Sequence, residues 1–307
     1  MTAIAARARG LGTTVLGGDV LSELDHVRDF DQLVGALARA GVTPPAVYDA
    51  ETLDRTMRDR IARDHATLRR YTTDLGPLEL DEDRRSLRAI VRGLVGAVSA
   101  RRRLAATIPT AGLPSSVLAA LAEATNAGEI AAILVRCGHP FAPVFPRTSI
   151  DLLELELALA RRFAEIARSN DRALHTYLEQ LIDAENAEAA LVLATRSHDL
   201  APSSAFVAGG RRLDRATFLV AAAGPIEAAR DHLSHAFAGT PLERAVLASA
   251  PAAVEDAALA WQLETQARLR RIEPLGLAAA VHVVLRRRDE ARHVRRAAWR
   301  VALGGVA

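Results

Sequence analysis

No lysine occurs anywhere in this 307-residue chain, so all 39 basic residues are arginine. A Walker A phosphate loop needs its Lys to reach the β- and γ-phosphates, and Schiff-base or pyridoxal chemistry needs an amine, so this chain alone houses neither. Most nucleotide hydrolases are excluded with them. The bias itself reads first as GC-rich coding, because Arg and Lys differ chiefly where bidentate contacts matter. The single cysteine, Cys137, can form no intrachain disulfide and no Cys/His zinc pattern. A reducing cytoplasm is the expected compartment. Apolar runs such as Leu277 to Leu285 stop well short of the roughly 18 residues that a membrane helix needs. The segment MTAIAARARGLGTTVLGG has no continuous apolar stretch, so no translocation signal is expected.

Aromatic residues are also scarce, at 4%, while half the residues are apolar and a quarter charged. With Ala and Leu dominating, this is the composition of tightly packed helices, and the expected class is all-α. A chain of this length can bury about three quarters of its unfolded surface. The net charge of +2 comes from arginines interspersed with 37 acids, with Arg101 to Arg103 and Arg286 to Arg288 as the runs of three. No basic stripe for nucleic acid emerges.

Four landmarks occur three times each, about a hundred residues apart. The first is a long helix with apolar residues three or four apart: LDRTMRDRIARDHATLRRY from Leu53, DLLELELALARRFAEIARS from Asp151 and VEDAALAWQLETQARLRRI from Val254. The second is a helix opened by an acid, with a polar residue three positions on: Asp83 and Ser86, Asp183 and Asn186, Glu290 and His293. An acid near a helix N-terminus is electrostatically favoured, and the three polar partners are expected to point the same way. The third is a helical hairpin in which Leu24, Leu121 and Val220 correspond, followed thirteen residues later by Leu37, Leu134 and Leu233; Asp29, Asn126 and Gly224-Pro225 supply the turns. The fourth is Gly and Pro punctuation at Gly41 to Pro44, Gly138 to Pro140 and Gly239 to Pro241.

The chain starts with a hairpin lacking a long helix before it and ends on a motif helix lacking a hairpin after it. We therefore expect a single domain, 1–307, of three repeats with approximate units 45–137, 145–238 and 250–307, the last completed by the hairpin 15–44. Such an arrangement closes on itself, whereas an open solenoid needs polar caps.

Placed side by side, IEPLGLAAAVHVVLRRRDEARHVRRAAWRVALGG, DRRSLRAIVRGLVG, FVAGGRRLDRATFLVAAA and GTPLERAVL resemble the helices of the C, or d, subunit of the prokaryotic V-type ATPases. The resemblance runs from about Arg7 to Gly304. It implies three pseudo-threefold-related helical lobes forming a closed funnel. It also implies a non-catalytic rotor piece that joins the central stalk of the rotary head to the membrane proteolipid ring, cytoplasmic and peripheral to the cell membrane. Such a piece carries no cofactor, binds no nucleotide or nucleic acid directly and is not a homo-oligomer. The family's motif Asn falls on Asn186, but on Ser86 and His293 in the other two copies, and an acidic position of its long helix is Ala160 here. A generic helical scaffold for a soluble protein partner is the alternative.

Other chemistry is weighed residue by residue. His232 and His235, with Asp231 and Glu227, have a spacing that can present zinc ligands on one helix face, although a solvated face is the simpler reading. Cys137 with His139 can suggest a thiol and its base, but without an orienting third group Cys137 reads as a small buried residue. The pairs Gly17-Gly18, Gly209-Gly210 and Gly304-Gly305 read as turns, not as a dinucleotide fingerprint. Trp261 and Trp299 read as core, with an interface anchor as the sharper alternative. Arg288, Arg292, Arg295 and Arg296 are candidates for contact with an acidic partner surface or anionic lipid, against a plain solvated face.

Overall fold

The computed structural model describes residues 2–43, 49–145, 151–195, 200–248 and 251–304, and every regular element among them is helical. The chain opens with α1 (Thr2–Gly12) and a first hairpin, α2 (Gly18–Leu24) and α3 (Phe30–Arg39). Next come α4 (Ala50–Arg69), α5 (Gly76–Val95) and the short α6 (Ala100–Ala105), then a second hairpin, α7 (Ser115–Glu123) and α8 (Ala127–Arg136). After a 3-10 turn at Ala142–Val144 follow α9 (Leu152–Ile166), α10 (Arg172–Thr195) and α11 (Pro202–Ala205). The third hairpin is α12 (Arg215–Ala223) and α13 (Ile226–Ala236), and α14 (Pro241–Ala248), α15 (Pro251–Ile272) and α16 (Ala278–Ala302) complete the chain. The N-terminal helix α1 is an element that the sequence pattern did not place. Pro44, Gly305 and the expected unit limits at 45 and 250 lie outside the described residues.

Short side chains set the helix starts. Asp29, Asp49, Asn126, Asp151 and Asp214 each accept the backbone N–H three residues on, opening α3, α4, α8, α9 and α12. Each such cap is worth about 1 kcal/mol. The hairpin helices α3, α8 and α13 are followed by Gly41, Gly138 and Gly239 at φ of 76°, 66° and 76°, a left-handed geometry that a Cβ disfavours. Beyond two of them the chain turns back on itself, Val42 N–H donating to Leu37 O and His139 N–H to Leu134 O, both at 2.9 Å.

The hairpin register needs one correction. Seven residues after the N-caps Gly17, Pro114 and Asp214 stand Leu24, Leu121 and Ala221, all fully buried, whereas Val220 is 53% exposed. The Gly224-Pro225 turn is one residue shorter than its counterparts, so counting back thirteen from the buried Leu233 lands on the wrong side of α12.

Three large apolar clusters hold the helices. Leu24, Leu33, Leu37, Leu53, Met57 and Val294 join α2, α3 and α4 to α16. Phe218, Leu233, Phe237, Leu242 and Val246 pack with the second half of α10. Leu121, Leu134, Phe141, Leu159, Phe163, Tyr177 and Val284 belong to the largest cluster. Each fully buried Leu or Phe contributes about 1.5–3 kcal/mol of transfer free energy. α16 touches α1, α2, α3, α4 and α15, so the two ends of the chain are neighbours. Among the described residues, no helix is long and apolar enough to cross a membrane.

Candidate functional site

The three motif acids do not open their helices. Asp83, Asp183 and Glu290 stand two to three turns inside α5, α10 and α16, because the preceding residues Leu78, Leu178 and Val281 already bury a helical face. The expected dipole role is therefore corrected: all three carboxylates are buried and act as acceptors for the loop that leads into a hairpin. Asp183 accepts the backbone N–H groups of Arg211 at 3.0 Å, Arg212 at 2.9 Å and Leu213 at 3.1 Å. Glu290 accepts Leu16 N–H at 3.1 Å. Asp83 reaches Leu113 through Thr110, whose hydroxyl donates to Asp83 and accepts Leu113 N–H at 3.0 Å. Leu16, Leu113 and Leu213 each immediately precede the N-cap of a hairpin's first helix. Burial raises the Asp183 pKa, with the three N–H groups opposing it.

Two glycines make this approach possible. A Cβ on Gly210 would lie 2.2 Å from Asp183 Oδ1, and one on Gly112 would lie 2.5 Å from Asp83 Oδ2.

One turn further on, Asn186 donates to Val207 O at 2.8 Å and accepts Val207 N–H at 2.9 Å. Ser86 treats Ile108 in the same way, accepting its N–H at 3.0 Å. His293 departs from the pattern. Its Nδ1 donates within its own helix, 3.0 Å from Asp289 O and 3.4 Å from Asp289 Oδ1. The Asp289 hydrogen bond raises its pKa against the effect of burial.

These helices, with α4 and α15, wall a cavity of ≈ 530 Å³. Small residues, Ala89 on α5, Ala184 on α10, Ala258 on α15 and Ala291 on α16, leave the space, and arginines line it. Each of these arginines faces a carboxylate. Arg84, at the edge of the site, donates to Asp81 at 2.8 Å and to Glu185 at 2.8 Å, and its guanidinium lies 5.1 Å from the Phe163 ring centroid. Arg88 spans Glu185 at 2.9 Å and Glu156 at 3.1 Å, tying α5 to α9 and α10. Arg92 donates to Glu156 at 2.7 Å. Tyr177 donates to Asp81 at 2.7 Å and accepts from Arg288 at 2.8 Å.

Burial alone would raise the carboxyl pKa values. Arg85, Arg288 and Arg84 outweigh it at Asp81, holding that group well below the usual range. Arg84 and Arg88 do the same at Glu185, bringing it to about 2. Glu188 differs. It has no ion pair among the described residues, and burial together with neighbouring Glu185 raises its pKa.

The four candidate contact arginines separate here. Arg288 lines the cavity but is 7% exposed and bound to Glu82, Asp81 and Tyr177, so its expected place on an open surface is corrected to a buried bridge. Burying this guanidinium costs solvation, which the Glu82 and Asp81 carboxylates and the Tyr177 oxygen offset. Arg292 pairs with Glu255 at 3.1 Å and Asp256 at 2.6 Å, Arg295 with Asp54 at 2.7 Å, and Arg296 with Asp256. Sequence reasoning missed Asp81, Arg84, Glu185 and Tyr177. The acid-to-Arg spacing of three and four in DEDRRSLR is the signal that could have shown half of this network.

His232, His235, Asp231 and Glu227 are exposed on α13, and no group of three His, Cys, Asp or Glu side chains among the described residues is placed to hold a metal. Cys137 is exposed, not buried as expected, because it caps α8 outside the packed face. Its neighbour His139 turns away: Nδ1 accepts Phe141 N–H at 3.3 Å, so Nε2 donates to Asp83 at 3.1 Å. Trp261 meets the Phe237 ring edge-on at 6.3 Å, whereas Trp299, expected in the core, is 46% exposed near the end of α16. Gly17 caps α2, Gly209 has φ 116° and Gly304 ends α16 at φ 75°.

A family model described as ATP synthase (C/AC39) subunit matches residues 4–304. No curated protein matches the chain.

Proposed function

The chain belongs to the ATP synthase (C/AC39) subunit family of the V-type ATPases, and from that premise we propose that it is the non-catalytic coupling piece joining the central stalk to the proteolipid ring. The carrying observation is the ≈ 530 Å³ cavity, walled by the corresponding helices α5, α10 and α16 and cross-braced by arginine–carboxylate pairs. A stalk tip received there meets mixed apolar and charged walls, whose ion pairs tie helix to helix. Interior-density packing deforms little, so torque entering at one rim emerges at the other with small loss.

The same reading divides the chain into units 45–137, 145–238 and 250–307 with 15–44, arranged as three lobes of a closed funnel. Support comes from the repeated loop grip of Asp83, Asp183 and Glu290, and from the contact of α2 and α3 with α16. Central-stalk proteins and the proteolipid ring are the proposed partners, with the protein peripheral to the cytoplasmic face of the membrane.

The test is co-purification. Tagged protein extracted in mild detergent is expected to bring down V-type head proteins and a small proteolipid. An Arg92→Glu/Arg296→Glu double variant, altering the cavity wall, is expected to keep ATP hydrolysis by the head while losing the linked ion transport. Recovery of the tagged chain without head proteins or proteolipid refutes the role.

A further inference from the structure

We propose that a second cavity, walled by Arg9, Arg270, Arg271, Arg286 and His282, binds a phosphate group, either free or carried on a lipid headgroup. The cavity measures ≈ 330 Å³ and lies between α1, the end of α15 and the start of α16. Its charge is uncompensated. Among the described residues no carboxylate lines it, and none of its four guanidiniums has a carboxylate within 4.0 Å. Glu273, on the adjoining loop, pairs with Arg172 at 3.3 Å instead. The larger cavity is the internal contrast, since its arginines are matched with acids.

The side chains are held without being used up. Arg9 donates to Pro274 O at 2.6 Å, Arg286 to Leu16 O at 2.8 Å and Arg271 to Ala267 O at 3.1 Å. Each bond occupies one of five guanidinium donors, leaving forks of the kind that match phosphate oxygens. Arg270 makes no hydrogen bond among the described residues, and neither does His282, which is 8% exposed. Burial, then Arg270 and Arg286, lower the His282 pKa to about 4, so at neutral pH the ring is an uncharged donor beside the cations.

A simpler account covers part of the cluster. Arg9 closes α1, and Arg270 and Arg271 close α15, where cations complement the carbonyl ends of helices. Arg286 and His282 lie inside α16, so helix polarity does not explain them. Four cations converging on one space are held together best by a multivalent anion between them. Ile272 and Leu275, on the same segment, are 60% and 51% exposed, which suits a headgroup with apolar chains beside it.

This site is independent of the coupling role and can be tested on the full chain whether or not that role holds. The protein is titrated with inorganic phosphate and pyrophosphate, and separately floated with phosphatidylcholine vesicles with and without phosphatidylglycerol. Saturable binding of the soluble anions assigns free phosphate, and binding confined to phosphatidylglycerol vesicles assigns the headgroup. In either arm Arg270→Gln is expected to weaken binding about tenfold, the effect of one charge-assisted hydrogen bond. Arg101→Gln removes an exposed charge outside the cavity and is expected to leave affinity within about twofold. Since Arg270 has no structural bond among the described residues, its variant is expected to fold, as circular dichroism checks. Occupancy should also raise the His282 pKa, read by NMR, because a bound anion favours the imidazolium. No binding in both arms, equal weakening by Arg270→Gln and Arg101→Gln, or an unmoved His282 overturns the proposal.

Discussion

Replacing Glu290 with alanine tests the junction between the two ends of the chain. Its carboxylate, fully buried, accepts Leu16 N–H at 3.1 Å, pairs with Arg287 at 2.7 Å and lies 3.2 Å from Arg60. Arg287 in turn holds Asp64 at 2.8 Å and the Thr14 hydroxyl at 2.8 Å. Glu290→Ala leaves Arg287 with Asp64 alone, Arg60 without its carboxylate partner and one buried N–H without an acceptor, a loss of about 3–5 kcal/mol. Unfolding entropy near 2.1 cal/mol/K per residue gives about 0.64 kcal/mol/K for the chain, so Tm should fall by about 5–8 °C. Hydrogen exchange should show amides of 14–24 losing protection ahead of α9 and α10, because the N-terminal loop is released first. Glu290→Gln keeps an acceptor but not the charge, and is expected to fall between wild type and Glu290→Ala. A Glu290→Ala protein within about 1 kcal/mol of wild type in urea, or uniform loss of protection, refutes the reasoning.

Two other outcomes follow from the same geometry. Glu185, held at about 2 against its ordinary 4.5 because Arg84 and Arg88 outweigh burial, contributes stability that is complete above pH about 4.5 and disappears as pH falls towards about 2. The stability gap between wild type and Glu185→Gln should therefore be about 3 kcal/mol at pH 7 and close progressively in acid; a gap independent of pH contradicts this. Gly210→Ala drives a Cβ to 2.2 Å from Asp183 and should destabilise by about 1–3 kcal/mol. Gly10→Ala, in α1 with nothing within 4 Å of the new Cβ, should stabilise by about 0.5–1 kcal/mol, so denaturation curves shifting in the same direction for both variants would argue against the close approach.

Helix class, the three long helices and the Gly punctuation were legible in the sequence because each is set locally, by apolar spacing, short capping side chains or a positive φ. Asp83, Asp183 and Glu290 were legible as a series but not in their role. Nothing in the sequence around Asp183 announces that Gly210 brings three N–H groups to it from across the fold. Val220 failed for a different reason: its helix is apolar on both sides, as FLVAAA, so one deleted turn residue shifted the register without breaking the pattern. Trp299 and Cys137 failed because composition predicts burial by residue type, whereas Trp299 lies off the face of α16 that Ala297, Ala298 and Val301 pack, and Cys137 follows Leu134, the last buried residue of α8.

The absence of lysine does not by itself explain how arginine is used at three buried positions. Arg84 joins Asp81 on its own helix to Glu185 on α10, Arg287 joins Asp64 on α4 to Glu290 and Thr14, and Arg288 joins Asp81 and Glu82 on α5 to Tyr177 on α10. Each bridge needs donors diverging from one planar group, fixed at angles that two separate helices can meet. An ammonium offers a single centre, is more strongly hydrated and gives up its proton more readily when buried. Lysine at any of these positions would keep one of the bonds and leave the other partner with one donor fewer in a low-dielectric interior. Helices tied pairwise through a shared guanidinium cannot slide past one another without breaking both bonds at once. The resistance to relative helix motion that the proposed torque transfer demands is thus concentrated in the bridges that tie α5 to α10 and α16, and α16 to α4.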